Sequence, residues 1–345
     1  MSEINWITLL QRMAPETLPI MESRYKILRQ IRLLQPVGRR MLADTLQNTE
    51  RVIRREVDFL REQRLIDSNR AGMFITAEGE EIMAAFHSFW KEADGIGSLE
   101  EEAARRLGIR RVSIVPGNSD ESEWVREELS RHAAGELFHS LVEDTVVAVA
   151  GGSSVARMAN YLPLSHLNGV VFVPARGALG EEVDLEANTI AARMAAKLGV
   201  SHRLLHIPDV MDEEVQRNVK RDPAISNVLQ LIGSARLLVH GIGEAVEMSR
   251  RRGLNQEILR ILKERKAVSE VFGYYFNRSG EMVYRMSTMG MPMESVQKID
   301  SVLAIAGGKS KAEAILSYIE NRGNYTLVTD EAAIREVLAL LDTIR

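Results

Sequence analysis

Seven short apolar runs separated by helical stretches constrain this chain more than any other feature. They are Arg111–Pro116, Thr145–Ala150, Gly169–Pro174, Leu204–Ile207, Leu237–His240, Val302–Ala306 and Tyr325–Val328. Several, such as TVVAVA and GVVFVP, are bare β-branched and small apolar residues. A strand with one wet face alternates polar and apolar positions, whereas a strand without alternation is covered on both faces. Such strands alternating with helices predict a doubly wound α/β domain with a mainly parallel sheet.

Ligands of these sheets bind where strands end and helices begin. Four loops fall there. VAVAGGSSVARMANYL sets Gly152, Ser153 and Ser154 between strand and helix, and VFVPARGALG puts Arg176 just past a strand. LLVHGIGEAVEMSRRRG holds Gly241, Gly243 and the triplet Arg250, Arg251 and Arg252. VLAIAGGKSKAEAIL opens a helix with Gly307, Gly308, Lys309, Ser310 and Lys311. Glycines free backbone amides, serines add hydroxyl donors, and lysine or arginine supplies full charge, so such loops suit anions. One Gly-Gly turn is often only a tight turn. Two with hydroxyls and converging cations favour a phosphate site, and a ligand with two phosphates suits two loops.

Two nucleotide motifs fail. A Walker A loop ending at Ser310 needs glycine at 303, where Leu303 stands, and GxGxxG from Gly241 needs glycine where Val246 stands. The seven histidines show no metal spacing, so His240 and the others read as packing or loop residues. The absence of cysteine excludes disulfides, thiolate metal sites and cysteine nucleophiles. No signal peptide and no membrane-length apolar run is evident.

Charge divides the chain. The formal net charge is −4, yet residues 22–76 hold twelve Lys/Arg against seven Asp/Glu. A basic module ahead of an acidic one suggests a nucleic-acid-facing head on a soluble body. Within it, ESRYKILRQIRLL has helical spacing, and Pro36 and Gly38 end that helix. A short helix around Met41, Leu42 and Leu46 follows. Thr49 then caps a second helix, TERVIRREVDFLREQRLI, with five arginines in eighteen residues. Its stripe Ile53, Val57 and Leu60 turns Arg51, Arg54 and Arg55 outward on the half that enters a major groove. Asn69-Arg70-Ala71-Gly72 between two short strands reads as a wing with Arg70 at its tip. Helix, turn, arginine-rich helix and hairpin predict a winged helix-turn-helix that takes double-stranded DNA as its polyanion, with Arg39, Arg40, Thr49, Arg51, Arg54, Arg55 and Arg70 as candidate contacts. Glu50, Glu56, Asp58 and Glu62 on the same helix are expected to pair with some of the arginines.

The expected division is residues 1–21 as a leader with a weak helix at Ile4–Met13, 22–77 as the winged helix-turn-helix, 78–98 as a linker helix with its loop at 94–98, and 99–345 as the α/β domain. Three functions are open to it. A sugar-phosphate isomerase needs a carboxylate base, for which Glu244 and Glu270 are the candidates, neither in a recognisable acid–base pair. A sensor needs only binding coupled to the head. A protein-interaction module could use the apolar helix 78–93 but leaves the phosphate loops unexplained. A helix-turn-helix joined to phosphate loops favours the sensor.

Three segments, TERVIRREVDFLREQRLI, VPARGALGEEVDLEANTIAARMA and AGGKSKAEAI, resemble the SorC family of sugar-binding transcriptional regulators, and the resemblance runs over nearly the whole chain. It implies a cytoplasmic bacterial repressor rather than an enzyme, with an α/β domain similar to sugar-phosphate isomerases but lacking their catalytic set. It implies control of a glycolytic operon for triose phosphates, fructose-1,6-bisphosphate as the effector that weakens DNA binding, and homodimers assembling to tetramers on the operator. No cofactor, metal or membrane is implied. Another sugar phosphate is the alternative effector. Carried over by position, one phosphate would sit on Gly152, Ser153 and Ser154 and the other on the turn Gly308, Lys309, Ser310 and Lys311. Lys311 is favoured over Lys309 because it stands directly before Ala312. Arg176, Glu270 and one of Arg250 or Arg251 would complete the pocket. Many relatives have threonine at the two serine positions, which keeps the hydroxyl donor.

Overall fold

TLPIMESRYKILRQIRLL forms one continuous helix, Thr17–Leu34, so the helix begins inside the expected leader. The computed structural model describes residues 13–14, 16–93, 96–165, 167–178, 182–208, 211–320 and 322–344, and most of the expected helix at Ile4–Met13 lies outside them. The chain divides into two compact units between Ser98 and Leu99.

In the first unit, Ile27, Leu28 and Ile31 of that helix pack on Leu42, Ile53, Val57 and Leu60. The helices Arg39–Thr45 and Glu50–Glu62 form the helix-turn-helix. Thr49 caps the second, its Oγ1 accepting from the Val52 amide at 3.3 Å, which satisfies one of the orphan donors of a first turn. Strands β1 (Ile66–Asn69) and β2 (Gly72–Ile75) pair antiparallel, with Asn69 opposite Gly72, so Arg70 and Ala71 form the tip of the wing. Val37 bridges to Met73 and ties the wing to the loop before the first short helix. A helix, Ala77–Ala93, follows. Of the expected linker loop 94–98, residues 94 and 95 lie outside the described residues, while Ile96 to Ser98 start the helix Ile96–Leu107. One glycine, Gly97, costs about 1 kcal/mol there, and the strong helix formers after it outweigh that cost.

The second unit is built on seven parallel strands: β3 (Arg111–Val115), β4 (Val146–Val149), β5 (Val171–Pro174), β6 (Ser201–His202), β7 (Leu237–Gly241) and, later in the chain, two more. Between them come β8 (Gly243–Glu244), β9 (Ala267–Val271), β10 (Tyr274–Asn277) and β11 (Met282–Arg285), then β12 (Ser301–Ile305) and β13 (Tyr325–Asp330). The large sheet runs in the order β3-β13-β12-β7-β4-β5-β6. Its strands are bare apolar runs because both faces are covered, and Val147, Val149, Val239 and Leu303 share one core with Trp124, Leu137, Ile190 and Met194.

One strand expectation changes, and one sheet is additional. The run Leu204–Ile207 is not a strand. β6 lies just before it, and the Asn188 side chain accepts from the Leu205 amide at 2.9 Å and donates to its carbonyl at 3.0 Å. Leu205 is thereby satisfied without a ladder partner. The second sheet, with antiparallel order β11-β10-β9-β8, was not expected at all.

Candidate functional site

From β4 the chain steps to β5 and β6, and from β7 it steps the other way to β12 and β13. The crevice at the carboxyl ends of β4 and β7 is therefore the topological switch point, where open α/β sheets bind ligands. A cavity of about 110 Å³ lies there. Gly152, Ser153 and Ser154 line it after β4, Arg176 after β5, Arg251 and Arg252 after β7, and Lys311 after β12. The second sheet adds Glu270 and Phe272.

Close backbone pairing holds Arg176 in place. Gly177 donates to the Met289 carbonyl and Met291 to the Ala175 carbonyl, each at 2.8 Å. A side chain at Gly290, between them, would collide with the Ala175 carbonyl, so this approach requires glycine. Arg176 is 4 % exposed and Glu270 3 %. Arg252 Nη2 meets Glu270 Oε1 at 2.6 Å, with both side chains almost wholly buried. The floor thus brings together the buried side chains of Arg176, Arg252 and Glu270. Burial lowers the Arg176 pKa to about 9, repulsion from Arg252 adds to the fall, and Glu270 opposes it. Arg176 stays cationic at neutral pH. Glu182, Glu186 and Glu247 also line the cavity.

Of the arginine triplet, Arg251 is the expected pocket residue and Arg252 is an addition. Arg250 is exposed and does not line the cavity, Arg251 lines it, and Arg252 enters the buried ion pair. The triplet stands at the end of a helix, where successive residues are about 100° apart and point in different directions.

The turn after β12 also differs. The Gly308 amide donates to Asp330 Oδ2 at 2.5 Å and the Lys309 amide to Asn118 Oδ1 at 3.3 Å. The Ser310 amide and hydroxyl donate to the two oxygens of Asp120 at 2.8 and 3.0 Å. Of this turn only Lys311 lines the main cavity, while Lys309 Nζ pairs with Glu336 at 3.3 Å on the surface. A neighbouring cavity of about 230 Å³ shares Ser153, Ser154 and Lys311 with the first and adds Asp120, Arg126 and Arg157.

Of the two carboxylates considered as bases, Glu270 is engaged. Glu270 holds Arg252 and also accepts from the Gly273 amide. Glu244 is half-buried. Its burial raises its pKa, Glu247 and Asp120 add to this, and Lys311 opposes it. His240 is fully buried, with Phe272, Tyr318 and Tyr325 rings at 5.5, 5.5 and 5.7 Å. Burial lowers its pKa to about 4, as suits a neutral packing residue. Arg252, Phe272 and Asp120 were not singled out from sequence as site residues. For Phe272 a signal existed, since VSEV and YYFN flank a Phe-Gly pair in the manner of a hairpin.

On the first unit, Arg40, Arg51, Arg54, Arg55 and Arg70 are exposed, and Arg39 is partly so. Arg39 pairs with Asp58 at 3.1 Å, Arg40 with Glu50 at 3.8 Å and Arg55 with Glu56 at 2.7 Å, while Arg51 and Arg54 enter none of these pairs. Glu56 is buried between Arg24 and Arg55. Burial works to raise its pKa, but the bonds and charges of the two arginines prevail and hold it below the usual carboxylate value. Among the described residues there is no cluster suited to a metal ion, and no helix is long and apolar enough to cross a membrane.

Comparison with known proteins follows the same division. Residues 20–90 match the CggR N-terminal DNA binding domain family and residues 91–339 a sugar-binding domain family. The central glycolytic genes regulator of Priestia megaterium is 43 % identical over 96 % of this chain and 98 % of its own length. That of Bacillus subtilis is 40 % identical over 95 % and 97 %. A SorC family transcriptional regulator from Enterococcus faecalis, 37 % identical, superposes with a TM-score of 0.66 over 70 % of this chain and 99 % of its own. The full-length sorbitol operon regulator SorC from Klebsiella pneumoniae, 18 % identical, shares the fold with a TM-score of 0.62 over 93 % of this chain and 99 % of its own.

Proposed function

The chain belongs to the SorC family of sugar-binding transcriptional regulators, and from that membership we propose that it represses a glycolytic operon and is released by fructose-1,6-bisphosphate. It has the family's DNA-binding and sugar-binding domains and is a regulator, not an enzyme. The observation that carries the ligand class is the gathering of Arg176, Arg251, Arg252 and Lys311 around one cavity at the sheet's switch point, beside two serines. One phosphate is assigned to Gly152, Ser153, Ser154, Ser310 and Lys311, and the other to Arg176, Arg251 and Arg252. Arg39, Arg40, Thr49, Arg51, Arg54, Arg55 and Arg70 are assigned to operator DNA in the cytoplasm. Arg51, Arg54 and Arg70, exposed and outside the ion pairs given above, are available for phosphates or guanine edges. Homodimers pairing into tetramers would set the half-site spacing, and bisphosphate binding would shift it.

Fluorescence anisotropy of labelled DNA from upstream of the protein's own operon is the test. Tight binding should weaken or lose cooperativity with millimolar fructose-1,6-bisphosphate, and DNA binding indifferent to it would overturn the effector. Arg54→Ala should weaken binding on all sequences and reduce the salt slope by about 1. An unchanged slope would mean that Arg54 meets no phosphate. A sugar monophosphate as effector has one observation in its favour, the occupied amides of Gly308, Lys309 and Ser310. A parallel titration with fructose 6-phosphate separates the two.

A further inference from the structure

We propose that Asp120 is an internal anion that a phosphate of the ligand must displace, which makes it the residue that sets the ligand's required charge. The inference rests on the sugar-phosphate reading above. Ser310 offers an amide and a hydroxyl side by side, the donor pair that anion-binding loops present to an oxyanion. Asp120 takes both, with one carboxylate oxygen on each. Its carboxylate lines the same cavity as Ser153, Ser154 and Lys311. The protein's own acid thus stands where the second loop would hold a phosphate.

The segment around Asp120 lets the carboxylate leave without unfolding. Ser119, directly before it, is 6 % exposed and anchored to buried Asp330 through its amide at 3.0 Å and its hydroxyl at 2.5 Å. Asp120 itself is exposed. Rotation of one side chain therefore frees Ser310 while the backbone stays pinned. A phosphate dianion brings more charge and more acceptor oxygens than a carboxylate. It can win the exchange, whereas a neutral sugar hydroxyl cannot. Asp120 then acts as a filter that admits phosphorylated ligands and rejects the free sugar.

Isothermal titration of the full chain tests this with fructose-1,6-bisphosphate, inorganic phosphate and fructose. Asp120→Asn keeps the shape of the contact and removes its charge, so both phosphates should bind about tenfold tighter, since charge-assisted bonds are roughly twice as strong as neutral ones. Glu121→Gln, a neighbouring acid that contacts Asn118 and not Ser310, should behave as wild type. Unchanged or weaker binding by folded Asp120→Asn, or an equal gain in Glu121→Gln, overturns the role of Asp120. A crystal structure of the wild-type chain needs no variant. Saturated with the bisphosphate, it should show the Asp120 carboxylate turned away from Ser310, and a carboxylate still within hydrogen-bond distance of the Ser310 amide overturns the displacement. Wild-type protein that binds neither phosphate would overturn the sugar-phosphate reading itself. Wild-type binding with no gain in Asp120→Asn would overturn only the filter.

Discussion

Two strand-to-helix loops of nearly the same composition meet opposite fates. After β4, Gly152, Ser153 and Ser154 face the cavity, and among the described residues no side chain accepts from the amides of the two serines. After β12, Gly308, Lys309 and Ser310 give their amides to Asp330, Asn118 and Asp120. The neighbours make the difference. β12 borders β13, and β13 borders β3. Those two strands deliver Asp330 and the segment Asn118 to Asp120 onto the loop. β4 borders β5 and β7, whose following segments bring Arg176, Arg251 and Arg252 to the same cavity. A Gly-Gly-hydroxyl loop states that an anion can be held, and the adjacent strands decide whose anion it is.

The largest expected effect comes from adding a methyl group to each loop. Gly152 has φ 120° and Gly308 has φ 99°, both costly for alanine. A Cβ at Gly152 meets nothing within 4 Å, whereas one at Gly308 collides with the Asp120 carboxyl. Gly152→Ala should lose about 1–2 kcal/mol, the usual cost of such strain. Gly308→Ala should lose about 3–4 kcal/mol, because an ionic hydrogen-bonded contact is expelled as well. Urea unfolding followed by Trp124, the sole tryptophan after residue 98, measures both. Equal losses would mean that Asp120 contributes nothing to the second loop.

The next effect belongs to the floor that serves the first loop. With its pKa near 9, Arg176 holds its proton through neutral pH and releases it as pH rises through about 9. A bound anion favours the cation, so ligand affinity should be flat from pH 7.5 to about 8.5. Above pH 9 it should fall, by up to about tenfold per unit. Stability has the opposite sign. A cation whose pKa is depressed by folding costs stability at all pH values below 9, and that cost is relieved as pH rises toward 12.5. Titration calorimetry across this range, with melting curves on the same samples, checks both signs. An affinity that is flat to pH 10 would mean that Arg176 keeps its proton there or does not meet the anion.

What sequence could reveal follows the distance over which each feature is encoded. The recognition helix is local, since its cap at Thr49 and its stripe Ile53, Val57 and Leu60 lie within twelve residues, and both form as the pattern requires. The parallel strands are local too, because burial on both faces removes the polar positions from each run. Leu204–Ile207 failed because one distant asparagine satisfied its backbone. The second sheet was missed because its strands are two to five residues long and share their pattern with tight turns. The arginine register depended on helix rotation. Asp120 was beyond reach, since it lies 190 residues from Ser310 in the chain.

The smallest effects separate the two loops most finely. Ser153 lies in the cavity, and no contact within the protein depends on its hydroxyl among the described residues. Ser153→Ala should therefore leave the melting temperature unchanged and weaken fructose-1,6-bisphosphate about threefold to tenfold, the worth of one hydrogen bond. Ser310 has its hydroxyl on Asp120 at 3.0 Å. Ser310→Ala should cost about 0.5–1 kcal/mol of stability. Its effect on affinity should be within about twofold, because the same donor serves Asp120 before binding and the phosphate after it, and its loss nearly cancels. Thermal melts and titration calorimetry on the pair read both axes. If Ser153→Ala lost stability and Ser310→Ala lost affinity, the assignment of open and filled loops would be inverted, and the ligand would enter against Ser310 without meeting a competitor.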